Sequence, residues 1–279
     1  SMYVDVFQDA TGITGLTNAI RNSSEYISAV SQVVEANTLG LWTTEIDNAT
    51  GNPQSNPITD ATGKLEIMAT NSSVGLNSQS PFAGGSQCLV TAGWDTGNQS
   101  NKGFWVREKS GQTSNLDFGT GAYTIEMWIW KRATGQENLY DGRDGGYANR
   151  TLFYVNGSNK LAVYENGNVV GSSSGDFPLN QWVHIALSRE SDGTSRFWMN
   201  GAHQGNWSSS VNFAQPTNDL YVGRAYNSGS YNFGGYMSNL RVVKGTAVYT
   251  GTSAITVPTE PVTAITNTVL LTASSNTGQ

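Results

Sequence analysis

Residues 123–130 read YTIEMWIW. Side chains alternate across a strand, so Tyr123, Ile125, Met127 and Ile129 share one face while Trp128 and Trp130 share the other. A strand that is apolar on both faces belongs in the middle of layered sheets. Working outward, the dipeptides Asn156-Gly157, Asn166-Gly167, Asp192-Gly193 and Asn200-Gly201 follow in quick succession. Each tolerates the positive φ that a two-residue hairpin turn requires. Between them, residues 152–155, 160–165, 182–189 and 195–199 have strand length and strand composition. The spacing predicts an antiparallel meander.

Composition agrees. The 279 residues include 8 Trp, 12 Tyr and 9 Phe, enough large side chains for a substantial core. Charged residues make up only 13%, well below the usual quarter, and Gly, Ser, Thr and Asn fill the difference. Many turns and polar strand faces are expected from that mixture, and disorder is not, because disorder goes with few aromatics. A net charge of −6 without any Lys/Arg cluster denser than Lys131–Arg132 argues against a nucleic-acid partner. No apolar run has membrane-spanning length and no basic-then-apolar leader is present, so neither a membrane span nor a signal peptide is expected. The single cysteine, Cys88, excludes an intrachain disulfide and a Cys-based metal cluster. Its place in the strand-like run 88–90 predicts a buried, inert thiol.

The first 36 residues differ. Ile13, Leu16 and Ile20, then Tyr26, Val30, Val33 and Val34, repeat at helical spacing and predict two short helices, with a strand as the competing reading of 26–34 because β-branched residues are frequent there. Residues 47–63 (DNATGNPQSNPITDATG) are loop-forming, and residues 64–70 predict one strand. A soft boundary at about residue 80 divides an N-terminal segment, 1–80, from a β-domain, 81–279.

Several blocks are recognisable in order. Residues 116–130 (LDFGTGAYTIEMWIW) resemble the opening strand of laminin-G/pentraxin-type domains of the concanavalin A-like superfamily. Residues 181–189 (QWVHIALSR) and 197–201 (FWMNG) are similar to that family's W-x-H strand and NG hairpin. Residues 220–224 (LYVGR) and 233–245 (FGGYMSNLRVVKG) resemble its closing strands. The tail, residues 246–251 (TAVYTG) and 257–272 (VPTEPVTAITNTVLLT), looks like the version found in structural proteins of marine phages and cyanophages. The resemblance implies a mainly β fold, a two-sheet antiparallel jelly-roll sandwich, preceded by a small, partly helical N-terminal segment. It further implies a virion-surface protein, on a tail fibre, appendage or capsid, that holds host or environmental glycans. Residues 1–80 would then attach it to other virion proteins, and a homo-oligomer such as a trimer would suit a fibre. An architectural component without a glycan ligand is the alternative, because the fold hosts lectins, hydrolases and adhesion modules alike.

The fold makes glycoside hydrolysis the natural enzymatic reading, and that chemistry needs two carboxyl groups flanking the scissile bond. The one E-x-D segment, Glu45-Ile46-Asp47, lacks the second Glu and runs into a loop; Glu126 has no acidic partner at i+2 or i+4. The two histidines, His184 and His203, accompany no G-x-S-x-G elbow and no ligand-spaced neighbour. His184 is expected to pack and hydrogen-bond structurally, and His203 to be exposed. Binding without catalysis is the expectation.

Sugar recognition asks for an aromatic face with amide, carboxylate or guanidinium groups beside it. Residues 198–207 (WMNGAHQGNW) and 224–236 (RAYNSGSYNFGGY) offer that mixture, which makes Trp198, Asn200, Trp207, Tyr226, Asn227, Tyr231 and Asn232 the candidate ligand contacts. Tyr140 and Tyr147 flank an acidic, Gly-rich loop, 141–146 (DGRDGG). Laminin-G domains often bind Ca²⁺ through Asp carboxylates and backbone carbonyls, so Asp141, Asp144 and Asp219 are the candidate calcium oxygens. The plainer alternative is a turn whose Asp residues bond their own backbone.

Overall fold

A computed structural model describes residues 58–69, 74–77, 79–83, 88–92, 103–143, 148–214, 216, 219–226 and 231–274. Fifteen strands form two antiparallel sheets among these residues. The seven-stranded sheet runs β1 (Leu65–Ala69), β4 (Phe104–Glu108), β13 (Leu220–Val222), β6 (Glu137–Asp141), β7 (Thr151–Val155), β8 (Leu161–Glu165) and β9 (Asn168–Ser172). The eight-stranded sheet runs β12 (Ala202–Ser208), β11 (Thr194–Met199), β10 (Trp182–Arg189), β5 (Tyr123–Lys131), β14 (Gly234–Lys244), β3 (Cys88–Ala92) and β2 (Val74–Asn77), with β15 (Thr268–Thr272) also on β14.

The strand read first in the sequence is central. β5 lies between β10 and β14, and its Tyr123, Ile125, Met127 and Ile129 point between the sheets. They meet Val183, Ile185 and Leu187 of β10 on one side and Phe104, Val106, Phe153 and Val163 of the facing sheet. Each fully buried aliphatic side chain contributes roughly 1.5–3 kcal/mol from lost water contact. The opposite face of β5 carries Trp128 and Trp130, which are half-buried.

Two of the four predicted turns are two-residue hairpins. Asn166-Gly167 joins β8 to β9 at φ 47° and 91°, and Asn200-Gly201 joins β11 to β12 at φ 47° and 80°. The other two dipeptides sit in longer loops. Asn156 keeps an ordinary φ and its Oδ1 accepts from the N–H of Ser158 and Lys160, so an Asx turn replaces the hairpin. At the other, Asp192 Oδ1 accepts from the N–H of Thr194 and Gly193 alone takes positive φ, 88°.

The predicted strand at 64–70 is β1, and it is an edge strand of the seven-stranded sheet; β2 is an edge of the other. The sandwich therefore takes in strands upstream of the expected boundary at residue 80. Cys88 is fully buried and its thiol is free of any disulfide, as the local pattern implies. The helices expected within 1–36, and Glu45 and Asp47, lie outside the described residues. Among the described residues no helix is long and apolar enough to cross a membrane.

Candidate functional site

The outer face of the seven-stranded sheet brings chemistry together. Alternation directs Phe104, Val106, Leu220, Val222, Phe153, Val155, Leu161 and Val163 into the core, so the residues between them point away from it. Met68, Trp105, Tyr221, Asp141, Leu152 and Tyr164 are successive cross-strand partners, a single row across six strands. At the usual strand separation that row is about 24 Å long. Leu152, Tyr154 and Ala162 form a small apolar cluster on this face, with Tyr164 packed against it.

Two arginines lie over the aromatic rings of the row. The guanidinium of Arg143 is 5.8 Å from the ring of Tyr164 and 5.1 Å from that of Tyr226. That of Arg224 is 5.6 Å from Trp105 and 5.3 Å from Tyr221. A cation over an aromatic face is drawn to the ring's negative quadrupole, which fixes each guanidinium. Arg143 is held more firmly by Asp141, which accepts its Nε at 2.8 Å and its Nη2 at 2.7 Å. Asp141 also accepts the N–H of Arg143, the Nδ2 of Asn138 at 2.9 Å and the N–H of Tyr226 at 3.2 Å. Arg107 and Asp219 form a further pair at 2.9 Å.

The sequence candidates thus divide. Tyr226 and Asp141 come together, one from the loop after β13 and one from the end of β6. Tyr231 is 48% exposed, and its backbone carbonyl accepts the N–H of Asn138, which ties its loop to β6. Asn232 is half-buried in the same loop. Asn227, Asp144 and Tyr147 lie outside the described residues. Tyr140 points into the core.

Trp198, Asn200 and Trp207 belong elsewhere. Trp198 is fully buried on the outer face of the eight-stranded sheet, with its Nε1 donating to the Ser253 carbonyl and its ring against Tyr249. It has no face to offer a ligand, a correction that follows from the chain after β14 crossing back over β11. Trp207 turns inward against Phe197, and its Nε1 donates to Glu165 at 3.0 Å. Asn200 is exposed, but its Oδ1 accepts the N–H of His184 at 2.9 Å and so ties the β11–β12 turn to β10.

The calcium expectation meets carboxylates already engaged. Five donors on Asp141 occupy the roughly four lone-pair sites of a carboxylate. Asp219 is bound to Arg107. Among the described residues no group of three or more His, Cys, Asp or Glu could hold a metal ion.

Glu126 and His184 form a separate buried network on the other sheet. Glu126 accepts from Arg241 Nε at 2.7 Å and Tyr249 Oη at 2.7 Å, with His184 Nε2 at 3.2 Å. Burial raises the Glu126 pKa, but the His184 hydrogen bond, the Arg241 and His184 charges and the Tyr249 hydroxyl outweigh it and hold the group below the ordinary value. The network anchors residues 246–263 across the sheet, since Arg241 also donates to the Thr263 carbonyl. His203 is half-buried rather than exposed, because its ring packs edge-on against the buried Trp198.

Sequence reading missed Trp105, Tyr221, Tyr154, Tyr164, Arg143 and Arg224. A signal was present: 104–106 (FWV), 153–155 (FYV) and 220–222 (LYV) each set one amphipathic aromatic between two apolar residues. That pattern places a Tyr or Trp on the face away from the core.

The family model of the concanavalin A-like lectin/glucanases superfamily matches residues 107–247. Among solved structures, the binding domain of Paraclostridial Mosquitocidal Protein 1 has a TM-score of 0.49 at 13% identity, covering 68% of this chain and 46% of that one. Domain 4 of an extracellular arabinanase from Geobacillus stearothermophilus, in complex with arabinotriose, has a TM-score of 0.48 at 14% identity, covering 74% and 89%. A protein of Bacteroides ovatus has a TM-score of 0.40 at 15% identity; the match covers 68% of this chain and 65% of that protein, just under two thirds of its length. No curated protein matches the chain.

Proposed function

The chain belongs to the concanavalin A-like lectin/glucanases superfamily, and from that premise we propose that its sandwich is a glycan-binding module whose ligand lies across the outer face of the seven-stranded sheet. The row from Trp105 through Tyr221 to Tyr164, with Arg143 and Arg224 held over the rings, carries this reading. Sugar rings present C–H surfaces that pack on aromatic faces, while guanidinium and amide groups bond the hydroxyls. A row this long suits an oligosaccharide better than a single sugar. The reading is one of binding without cleavage: among the described residues, Asp141 and Asp219, two carboxylates of this face, are each paired with an arginine. Hydrolysis needs a carboxyl group able to carry a proton to the leaving group. A glycan array probed with the chain and with Tyr221→Ala tests the reading: glycans retained by the first and lost by the second support it. Retention unaffected by Tyr221→Ala removes the ligand from this face.

The tail at 246–272, with its likeness to phage structural proteins, favours a virion-surface setting, with the residues upstream of the sandwich joining other virion proteins and a trimer as the assembly. Solution mass of the full chain, alone and mixed with virion proteins, tests this. A purely architectural role draws support from another face. Trp130, Trp182 and Tyr236 meet at centroid distances of 5.9–6.4 Å on the outer side of the eight-stranded sheet and are each only half-buried, which suits a protein neighbour.

A further inference from the structure

Arg224 differs from the other arginines of the candidate face. Arg143 is paired with Asp141 and Arg107 with Asp219, but no carboxylate of the described residues lies within 4 Å of Arg224. Among the described residues its side-chain hydrogen bonding is limited to a long contact from Nε to the Ala225 carbonyl, 3.4 Å. The residue is only 4% exposed, so its stem and most of its head are removed from water. Burial pushes its pKa down, against the charge of Asp219, which pulls the other way. A guanidinium has five N–H donors and cannot lose its charge in a protein, so a desolvated one without acceptors is costly to keep. The ring beside it repeats the deficit: Trp105 Nε1 is buried and has no acceptor among the described residues.

The position is also built rather than incidental. Gly103 takes φ +114°, and a Cβ there would stand 2.9 Å from Arg224 Cβ and 2.7 Å from the Val222 carbonyl. The glycine lets the chain before β4 pass close under Arg224, which fixes where the side chain leaves the sheet. Trp105 and Tyr221 then hold the guanidinium by their ring faces.

We propose that Arg224, with the indole N–H of Trp105, is an anion-binding subsite that seats an oxyanion group of an acidic glycan, so that the ligand class of the module is charged rather than neutral saccharide. The inference rests on the glycan-binding reading of this face. A planar guanidinium matches the two oxygens of a carboxylate or sulfate through parallel N–H···O bonds, and the neighbouring rings exclude water from them. The chain's overall charge of −6 would otherwise repel such ligands, so local positive charge has to come from a placed residue.

The test uses the full chain on an array carrying neutral, carboxylated and sulfated glycans. Hits are then compared by calorimetry as matched pairs, the carboxylate against its methyl ester and the sulfate against its desulfated form. The charged member should bind about tenfold tighter or more, and the advantage should shrink as salt is raised. Arg224→Gln should erase the advantage of the charged member over its neutral partner, whatever the variant does to the affinity of both. Arg224→Lys, which keeps the charge without the fork, should restore only part, and Trp105→Phe should weaken the charged member while keeping the ring. The matched pairs separate carboxylate from sulfate. If Arg224→Gln does not fold, the Arg224→Lys and wild-type salt series decide. Glycan binding with no preference for the charged member, or a preference that survives Arg224→Gln, overturns this inference and leaves the glycan-binding reading standing. Absence of binding to every glycan overturns both.

Discussion

Asp141 and Arg143 face each other through two parallel contacts, Nε to Oδ1 at 2.8 Å and Nη2 to Oδ2 at 2.7 Å. The carboxylate is fully buried, and it also holds the N–H of Tyr226 and the amide of Asn138. One side chain therefore sets the position of a cation, an aromatic residue and an amide on the candidate face.

Asp141→Ala should release all three. Breaking one half of a buried ion pair typically costs about 3–5 kcal/mol. Urea denaturation should show a loss of that order, and retention on a glycan array should fall even at temperatures where the variant stays folded.

Tyr164→Ala should separate binding from stability. Tyr164 is half-buried at the rim of the small outer cluster, so its loss costs little folding energy. Removing one aromatic face should weaken an oligosaccharide by several-fold, since such contacts are worth about 0.5–1.5 kcal/mol. Parallel thermal melts and calorimetry check the split; a melting loss that tracks the affinity loss would count against a ligand-contact role.

Glu126 should govern the acid limb of stability. Its pKa is depressed in the fold, so the unfolded chain takes up the proton first as pH falls. The stabilisation is complete above the unfolded value near 4.5 and is lost as pH drops through the lower native one. Urea midpoints from pH 6 down to 3 should fall steeply for the native chain. Glu126→Gln should be less stable at pH 6, with a flatter acid limb.

Glu137 should act in the opposite sense. Burial, only partly offset by the charge and hydrogen bond of Lys131 and the N–H of Gly234, raises its pKa to about 7. The folded chain holds this proton more tightly than the unfolded chain does. The contribution is full below about 4.5 and lost as pH rises towards 7, a change of up to about 3 kcal/mol at 1.36 kcal/mol per unit. Stability at pH 5 and pH 8, compared with Glu137→Gln, measures it: the variant should show a smaller difference between the two.

The local pattern of β5 was sufficient to place it at the centre of a sheet, because period-2 alternation and burial on both faces are properties of the strand itself. Hairpin geometry was half legible. Asn166-Gly167 and Asn200-Gly201 adopt the turn their residues favour, whereas Asn156 satisfies its side chain locally and opens a longer loop. The roles of aromatic residues were much less legible. Trp198 and Tyr226 look equivalent in a polar, Gly-rich stretch, yet Trp198 is buried beneath residues 249–253 and Tyr226 is half-exposed beneath Arg143.

By itself, then, the sequence determined the β-class, the central strand, two of the hairpins and the buried cysteine, all of which depend on neighbours a few residues apart. Only the tertiary structure decided the site. The row from Met68 to Tyr164 joins residues from six strands through cross-strand pairing, and β13 reaches its place between β4 and β6 only through the long-range order of the sheet. Register and strand order arise from the packing of two whole sheets, and no local window of residues contains that information.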